Sequence, residues 1–275
     1  LHLLFAHRDT ELRTRTAQLL LTAGDLDPAG LWVQRGTGGI EAVFLVQTRA
    51  TGRALVWPPV ARPGIDIAPL ADVVFAQLRA ARVRIVQAII THSDPGRATL
   101  TALGIPPLTQ VVTLFQPVQY DVTPHRLHFT QAYNGEEALP FFADTLVGTR
   151  DFAELGGVRT PEETWADFEL APEYDRHGVW LAWQGMQPAG VLVVHPDETA
   201  LVVAYLGLVP SMRGRRLGAD LVLQAHVLAQ QRGQTELLLD VDARNEPAWA
   251  LYRRSGWVEY DRQEVHLAIW PEQGP

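Results

Sequence analysis

The sequence predicts an α/β protein built in two halves. Three observations carry this. Short apolar strand-like runs alternate with helical patterns through the second half, the same punctuation recurs 152 residues earlier in the first half, and a basic, glycine-bearing turn joins a strand to a helix at residues 209–219.

Residues 126–131 read as a strand and 135–146 as a helix, with Glu136 and Glu137 in a first turn where the helix dipole favours acids. Residues 161–169 read as a second helix, with Thr160 as N-cap and Pro161 at the first helical position, where no N–H is needed. Strands are expected over 179–184, 189–195 and 200–209, separated by Gly185-Met186-Gln187-Pro188 and by Pro196-Asp197-Glu198. A helix over 217–232 is stopped by Gly233. An apolar strand over 236–241, a helix over 247–255 stopped by Gly256, and a strand over 265–269 complete the order.

Pro117 and Pro124 bracket a stretch that reads as a linker and divides the chain into residues 1–118 and 119–275. Moving the first half forward by 152 residues places Pro58 on Pro210, Pro95 on Pro247, Ala98 on Ala250 and Gly104 on Gly256. The strand 85–90 and the helix 70–78 fall on the strand and helix of the second half, which points to a duplication.

With 275 residues, 47% hydrophobic and 20% charged, the chain suits two ordinary globular domains. It has no cysteine, so disulfides, thiolate metal sites and cysteine nucleophiles are excluded. A formal charge of -8 argues against nucleic acid as a partner and is compatible with a cationic one. No apolar run approaches the roughly 18 residues that cross a bilayer, so no membrane partner is expected. Residues 1–9 do not read as a secretory leader, and a cytoplasmic location is the expectation. His2, His7, His125 and His128 lack partners at metal-site spacing, so no metal is expected.

The turn after residue 208 is suited to an anion. A helix start leaves backbone N–H groups unpaired and carries about half a positive charge. Gly214 and Gly218 let a phosphate approach the backbone, and Arg213, Arg215 and Arg216 add positive charge. Solvated arginines on an ordinary connection are the plainer account. A second segment follows, Asn245-Glu246-Pro247-Ala248-Trp249-Ala250-Leu251-Tyr252-Arg253-Arg254-Ser255-Gly256-Trp257.

Together these segments resemble the GNAT acyltransferase superfamily. That family has a strand ending in Val-x-Pro, an Arg/Gln-x-x-Gly-x-Gly/Ala pyrophosphate loop, and a later Asn-x-x-Ala-x-x-Leu-Tyr-x-x-x-Gly-Phe/Trp segment. Asn245, Ala248, Leu251, Tyr252, Gly256 and Trp257 fit the second pattern; Arg213, Leu217 and Gly218 fit the first. The resemblance covers residues 126–269. It implies tandem acyl-CoA acyltransferase domains, each a mixed, mostly antiparallel sheet flanked by helices, with the strands around 213–232 parallel and splayed. It implies acetyl-CoA as co-substrate, with amides of Arg213, Gly214, Arg215, Arg216, Leu217, Gly218 and Ala219 on its pyrophosphate. Leu208 and Val209 would serve its pantetheine arm, Asn245 the cofactor or the turn, and Tyr252 the departing thiolate as general acid. The acceptor would be an amine of a small molecule or peptide, attacking directly. Arg216 stands where the family usually has its first glycine.

The strand glutamate that commonly serves as base is replaced by Tyr205; Asp240, Asp242, His195 and Glu173 are candidate substitutes. Trp165, Trp180 and Trp183 belong to the core or to an acceptor pocket. The acidic residues around Trp165, from Glu162 to Asp175, form a solvated face or receive a cationic amine. In the first half Ala61, Asp66, Ser93 and Leu100 replace Arg213, Gly218, Asn245 and Tyr252, so that half reads as a degenerate copy. The rivals are a mycothiol-synthase-like acyltransferase, a non-catalytic acyl-CoA sensor or scaffold, and a pure interaction module. Two fused copies suit a monomer or a homodimer.

Overall fold

The structure, a computed structural model, describes residues 27–271 apart from 50, 133 and 172; His2 and His7 lie outside the described residues. In chain order the elements are β1 (Leu31–Gly36), β2 (Gly39–Arg49), β3 (Arg53–Val56), β4 (Val60–Ala61), α1 (Ala68–Ala80), β5 (Ile85–Ile90), α2 (Arg97–Ala102), β6 (Pro107–Pro117), β7 (His128–Gln131), α3 (Gly135–Leu146), α4 (Pro161–Glu169), β8 (Val179–Gln184), β9 (Gln187–Asp197), β10 (Ala200–Leu208), α5 (Gly218–Gln231), β11 (Glu236–Asp242), α6 (Glu246–Arg254) and β12 (Val258–Ile269). Two compact units emerge: residues 1–109 with 263–275, and residues 110–262.

Each unit takes its last strand from the other half of the sequence. In the first unit the sheet runs β1-β2-β3-β5-β12, with β4 on β2. β3 and β5 are parallel, and Glu264 through Ile269 pair antiparallel with β5. Glu264 secures this end of β12 by accepting from Arg97 Nε and Nη2 at 2.8 and 2.6 Å, while His266 bridges Glu264 and the Ile105 carbonyl at 2.7 and 2.8 Å. In the second unit the order is β6-β11-β10-β9-β8-β7. Val111 through Pro117 pair with β11, so the expected linker at 116–124 begins inside a strand, and the break falls at 109/110 rather than 118/119. The extended, alternating run of β6 is what proline punctuation at its end concealed: Pro117 closes the strand without interrupting its ladder.

The local signals of the second unit are carried out in detail. Thr160 and Glu163 form a reciprocal capping box at the start of α4, with Pro161 in the first turn. Asn134 caps α3. β9 is buried at every position from Ala189 to Val194, because helices cover both faces of the sheet. On one face α3 and α4 pack Phe142 and Trp165 onto Leu181, Val191 and Val193. On the other, α5 brings Leu221, Ala225 and Leu228 onto Leu201, Leu237 and Leu239. Burying a Leu or Phe side chain contributes about 1.5–3 kcal/mol, so these two layers are the main source of stability.

β10 and β11 are parallel, as expected, and pair only from Ala200↔Glu236 to Val203↔Leu239. Beyond that point they separate. The register of β10 against β9 slips between Val203 and Tyr205, leaving Ala204 as a bulge. A bulge bends and twists its strand, which turns the remainder of β10 away from β11. Gly190 and Gly207 allow β9 to follow that bend closely: a Cβ on Gly190 would lie 2.1 Å from the Gly207 carbonyl oxygen.

Candidate active site

Between β10 and α5 the chain makes a short 3-10 turn (Pro210–Met212) and then an open loop. Gly214 has φ +74 and Arg216 φ +60. Leu217 precedes the helix with no side chain capping it. No hydrogen bond to another described residue engages the N–H groups of residues 214–219. Six successive amides at the positive end of a 14-residue helix are thus left as donors of the kind an anion accepts.

The rear of this loop is held by two arginines. Arg213 is not a free charge at its rim. It donates through Nε to the Leu208 carbonyl at 3.0 Å, through Nη1 to the carbonyls of Val147 and Gly148 at 2.7 and 3.2 Å, and through Nη2 to that of Thr145 at 2.8 Å. Arg126 donates to the carbonyls of Arg215, at 3.0 Å, and of Arg216. Asp220, 1% exposed, receives the backbone N–H groups of His125, Arg126 and Leu127 at 3.0, 2.6 and 3.0 Å. With their carbonyls taken at the back, the loop residues keep their amides for the front. Arg215 and Arg216 are exposed beside them. Arg126 and Asp220 were missed in the sequence, since their function depends on a contact across 94 positions.

Leu208 and Val209 lie at the end of β10. The Val209 amide donates to the Ala189 carbonyl at 3.0 Å and the Leu208 carbonyl accepts from Arg213, so both expected pantetheine partners already have protein partners at those atoms. Asn245 caps α6, its Oδ1 accepting from Ala248 N at 3.3 Å, which is the turn-holding half of its expectation.

Tyr252 lies on α6, 6% exposed, against Trp257 with ring centroids 5.8 Å apart. Its hydroxyl has no hydrogen bond to another described residue. Burial, with Asp151 and then Tyr205 nearby, pushes the phenol well above its ordinary value of 10. Tyr205 donates its hydroxyl to Thr145 Oγ1 at 2.7 Å, because that oxygen's own hydrogen is directed to the Phe142 carbonyl at 2.6 Å. Burial pushes Tyr205 up to about 12. Tyr205 is therefore a fixed donor.

The four expected base candidates divide clearly. Asp242 is fully buried and consumed: it accepts from Arg244 Nη2 at 2.7 Å and from Phe152 N at 3.2 Å. Asp240 accepts from Thr113 Oγ1 at 2.6 Å. Glu173 is exposed, and His195 lies on β9 opposite Val202. A carboxylate not anticipated lies beside β11 instead. Asp151 accepts from the Asp242 N–H at 2.9 Å and from the Asn245 side chain. The residue is exposed, yet the protein packed about its carboxyl withdraws water from the charged form, and this desolvation raises the carboxyl above the usual range. Nothing local marks Asp151, which stands in a loop of no regular period.

The tryptophans are mainly structural. Trp165 is 3% exposed and packs on Phe142 and Phe168, with Nε1 donating to Glu169 at 2.9 Å. Trp183 stacks on His128 and donates to Thr130. Trp180 is half-buried on β8. In the acidic region, Asp167 pairs with Arg159 and Asp175 with Arg232, each at 2.7 Å. In the first unit Asp66 Oδ1 accepts from Ala68 N at 3.0 Å, placing a carboxylate at the start of α1. Among the described residues no group of three or more His, Cys, Asp or Glu is arranged to hold a metal, and no helix is long and apolar enough to cross a membrane.

This is the mixed α/β GNAT fold, its sheet flanked by helices. Residues 146–257 match the family described as Acetyltransferase (GNAT) family. The chain is similar to a GCN5-related N-acetyltransferase from Sphaerobacter thermophilus (TM-score 0.60, 18% identity, 94% of this chain and 86% of that one) and to a tandem GNAT protein from the clavulanic acid biosynthesis pathway (TM-score 0.50, 17% identity, 91% and 86%). In sequence it is 26% identical over 214 residues to the mycothiol acetyltransferase of Mycobacterium ulcerans (strain Agy99), covering 65% of this chain and 62% of that protein. The mycothiol acetyltransferase of Pseudarthrobacter chlorophenolicus is 30% identical over 109 residues, 38% of this chain and 32% of that protein. The chain thus spans under two thirds of the length of the curated relatives it matches.

Proposed function

We propose that the protein transfers an acetyl group from acetyl-CoA to an amine of a small molecule or peptide, by direct attack. The observation that carries this is the run of unengaged amides from Gly214 to Ala219 at the start of α5, beside strands that separate beyond Val203 and Leu239. Those amides receive the diphosphate, Arg215 and Arg216 add charge at the rim, and the thioester arm enters the gap between β10 and β11. Tyr252 supplies the proton that the departing thiolate takes. The phenol is protonated throughout the physiological range, as a proton donor must be, its pKa lying above 10. No cysteine is present to form an acyl-enzyme.

The first unit is read as a degenerate copy. With the two-residue β4 set aside, its order β1-β2-β3-α1-β5-α2 repeats that of β8 through α6, and its parallel pair β3/β5 corresponds to β10/β11. Asp66 at its helix start repels a phosphate. A fused pair of this kind suits a monomer or a homodimer, and a cytoplasmic location fits the use of acetyl-CoA. The name shared by the curated relatives favours a second reading, an acyltransferase of the mycothiol-synthase type with a different acceptor.

The test is calorimetric titration with acetyl-CoA, followed by thiol release over a panel of amines with Tyr252→Phe as control. Binding and turnover that depend on Tyr252 support the reading. Binding without turnover on any amine replaces it with an acyl-CoA sensor, and absence of binding removes both.

A further inference from the structure

We propose that Asp151 receives the ammonium of the acceptor and takes its proton, making it the base of the reaction; this rests on the acetyl-transfer reading above. Four observations converge on it. The first is position. Ala243 N–H donates to Gln110 of β6, so the preceding amide, that of Asp242, points to the opposite side of β11, toward the gap left by β10. In a closed parallel pair that amide would meet a β10 carbonyl. Here it meets the Asp151 carboxylate at 2.9 Å, so Asp151 stands in the mouth of the gap.

The second is availability. Of the neighbouring carboxylates, Asp242 is buried under Arg244 and Glu154 is paired with the same guanidinium at 2.5 and 2.9 Å. Asp240 accepts a threonine hydroxyl on the β6 side. Asp151 keeps open lone pairs and solvent contact. The third is preorganisation. Phe152, the next residue, is held at φ +46 by its N–H bond to Asp242, and the Glu154–Arg244 pair fixes the loop two residues on. A bulky residue in the left-handed region is sustained only where its surroundings over-determine it. The fourth is the company it keeps: the Asp151 charge acts on both Tyr252 and Tyr205, adding to the burial that raises each phenol above its ordinary value.

In the reaction the ammonium gives one proton to the Asp151 carboxylate, which passes it to solvent. The neutral amine attacks the thioester carbonyl, the C–N bond forms and the C–S bond breaks. Sulfur takes the proton of Tyr252, and the second proton on nitrogen returns through water to the phenolate. One proton is released for each amide formed. The acceptor class is accordingly a primary amine that arrives charged.

The experiment measures thiol release from acetyl-CoA by the full chain against pH, with spermidine, glucosamine and a lysine-containing peptide as probes, in the wild type, Asp151→Asn, Asp151→Glu and Asp240→Asn. Asp151→Asn can still accept from the Asp242 amide, which keeps the loop in place. It is expected to lose about 100-fold or more in kcat/KM at neutral pH. Its acid limb should disappear, its rate should climb as pH approaches the pKa of the amine itself, and its affinity for acetyl-CoA should stay within twofold. Asp151→Glu should recover an acid limb. Activity of Asp151→Asn within threefold of wild type with the limb intact overturns the inference alone, as does loss of the limb in Asp240→Asn. A wild type that binds acetyl-CoA and acetylates no amine overturns the transferase reading and the inference with it. Should Asp151→Asn unfold, as read by its melting curve, Asp151→Glu decides: a folded Glu variant without an acid limb overturns the proposal.

Discussion

Arg213 Nη2 donates to the carbonyl oxygen of Thr145 at 2.8 Å, tying the end of α3 to the loop that precedes α5. The same guanidinium also holds the Leu208 carbonyl, so one side chain fixes both the exit of β10 and the wall beside it. Replacing Arg213 with methionine keeps much of the volume and removes every donor. A charge-assisted bond contributes about 1.5–3 kcal/mol when its partner would otherwise be stranded; because these carbonyls are partly exposed and water can replace the lost donors, the net loss expected for all of them together is about 2 kcal/mol. Urea unfolding should show that loss, and acetyl-CoA should bind about tenfold more weakly by calorimetry. Unchanged affinity would mean that Arg213 does not position the amides.

Arg216 occupies a left-handed conformation, φ +60, at the position where glycine would be free of strain. An L-residue there costs about 1–2 kcal/mol relative to glycine, part of which the greater chain entropy of unfolded glycine offsets. Arg216→Gly should raise stability by about 0.5–1 kcal/mol in thermal or urea melts. The carbonyl bond to Arg126 survives, since it is made by backbone. If the side chain contributes charge to the diphosphate, affinity for acetyl-CoA falls while stability rises. The opposite signs separate strain from recognition.

Tyr252→Phe removes a hydroxyl that makes no hydrogen bond to another described residue, so stability should change by less than about 0.5 kcal/mol. The turnover number should fall about 100-fold, the size of a lost general acid. The sign of the pH effect follows from the upward shift: the group acts when protonated and remains so above its ordinary value of 10. The wild-type rate should therefore show no alkaline limb from this phenol up to pH 10. A limb near pH 9 that vanishes in the phenylalanine variant would contradict this.

His226 is 1% exposed and accepts the Gln119 N–H at Nδ1, 3.1 Å away, which requires the neutral ring. Burial lowers its pKa from 6.5 to about 4. The unfolded chain takes up this proton at higher pH than the folded one. Its contribution is thus constant above pH 6.5 and lost as pH falls from 6.5 to about 4, by up to about 3 kcal/mol. Urea midpoints between pH 7 and 4 should fall more steeply for the wild type than for His226→Gln. Parallel profiles would exclude His226 as the source.

The punctuation of the chain made much of the second unit legible. Thr160 and Pro161 start a helix wherever they are placed, because capping and a missing N–H act within one turn. The run of unengaged amides before α5 could be read for the same reason, since a helix start and its glycines are local properties. Arg213 was legible in position and not in use: its charge suggested a phosphate, and its geometry commits it to four carbonyls. The boundary between the units was misread at Pro117, where a strand ends against a partner more than a hundred residues away.

By itself the sequence determined most helices and strands between residues 126 and 269, the glycine-bearing turn before α5, and the placing of a tyrosine on the helix after β11. Only the tertiary structure decided that β6 and β12 each complete a sheet with the other half's strands, that Asp242 is spent on Arg244, and that Asp151 takes the amide which the diverging strands leave open. The physical reason is range. Caps, turns and periodicity are fixed by neighbours a few residues apart, whereas the protonation and availability of a carboxylate depend on whatever the fold brings beside it.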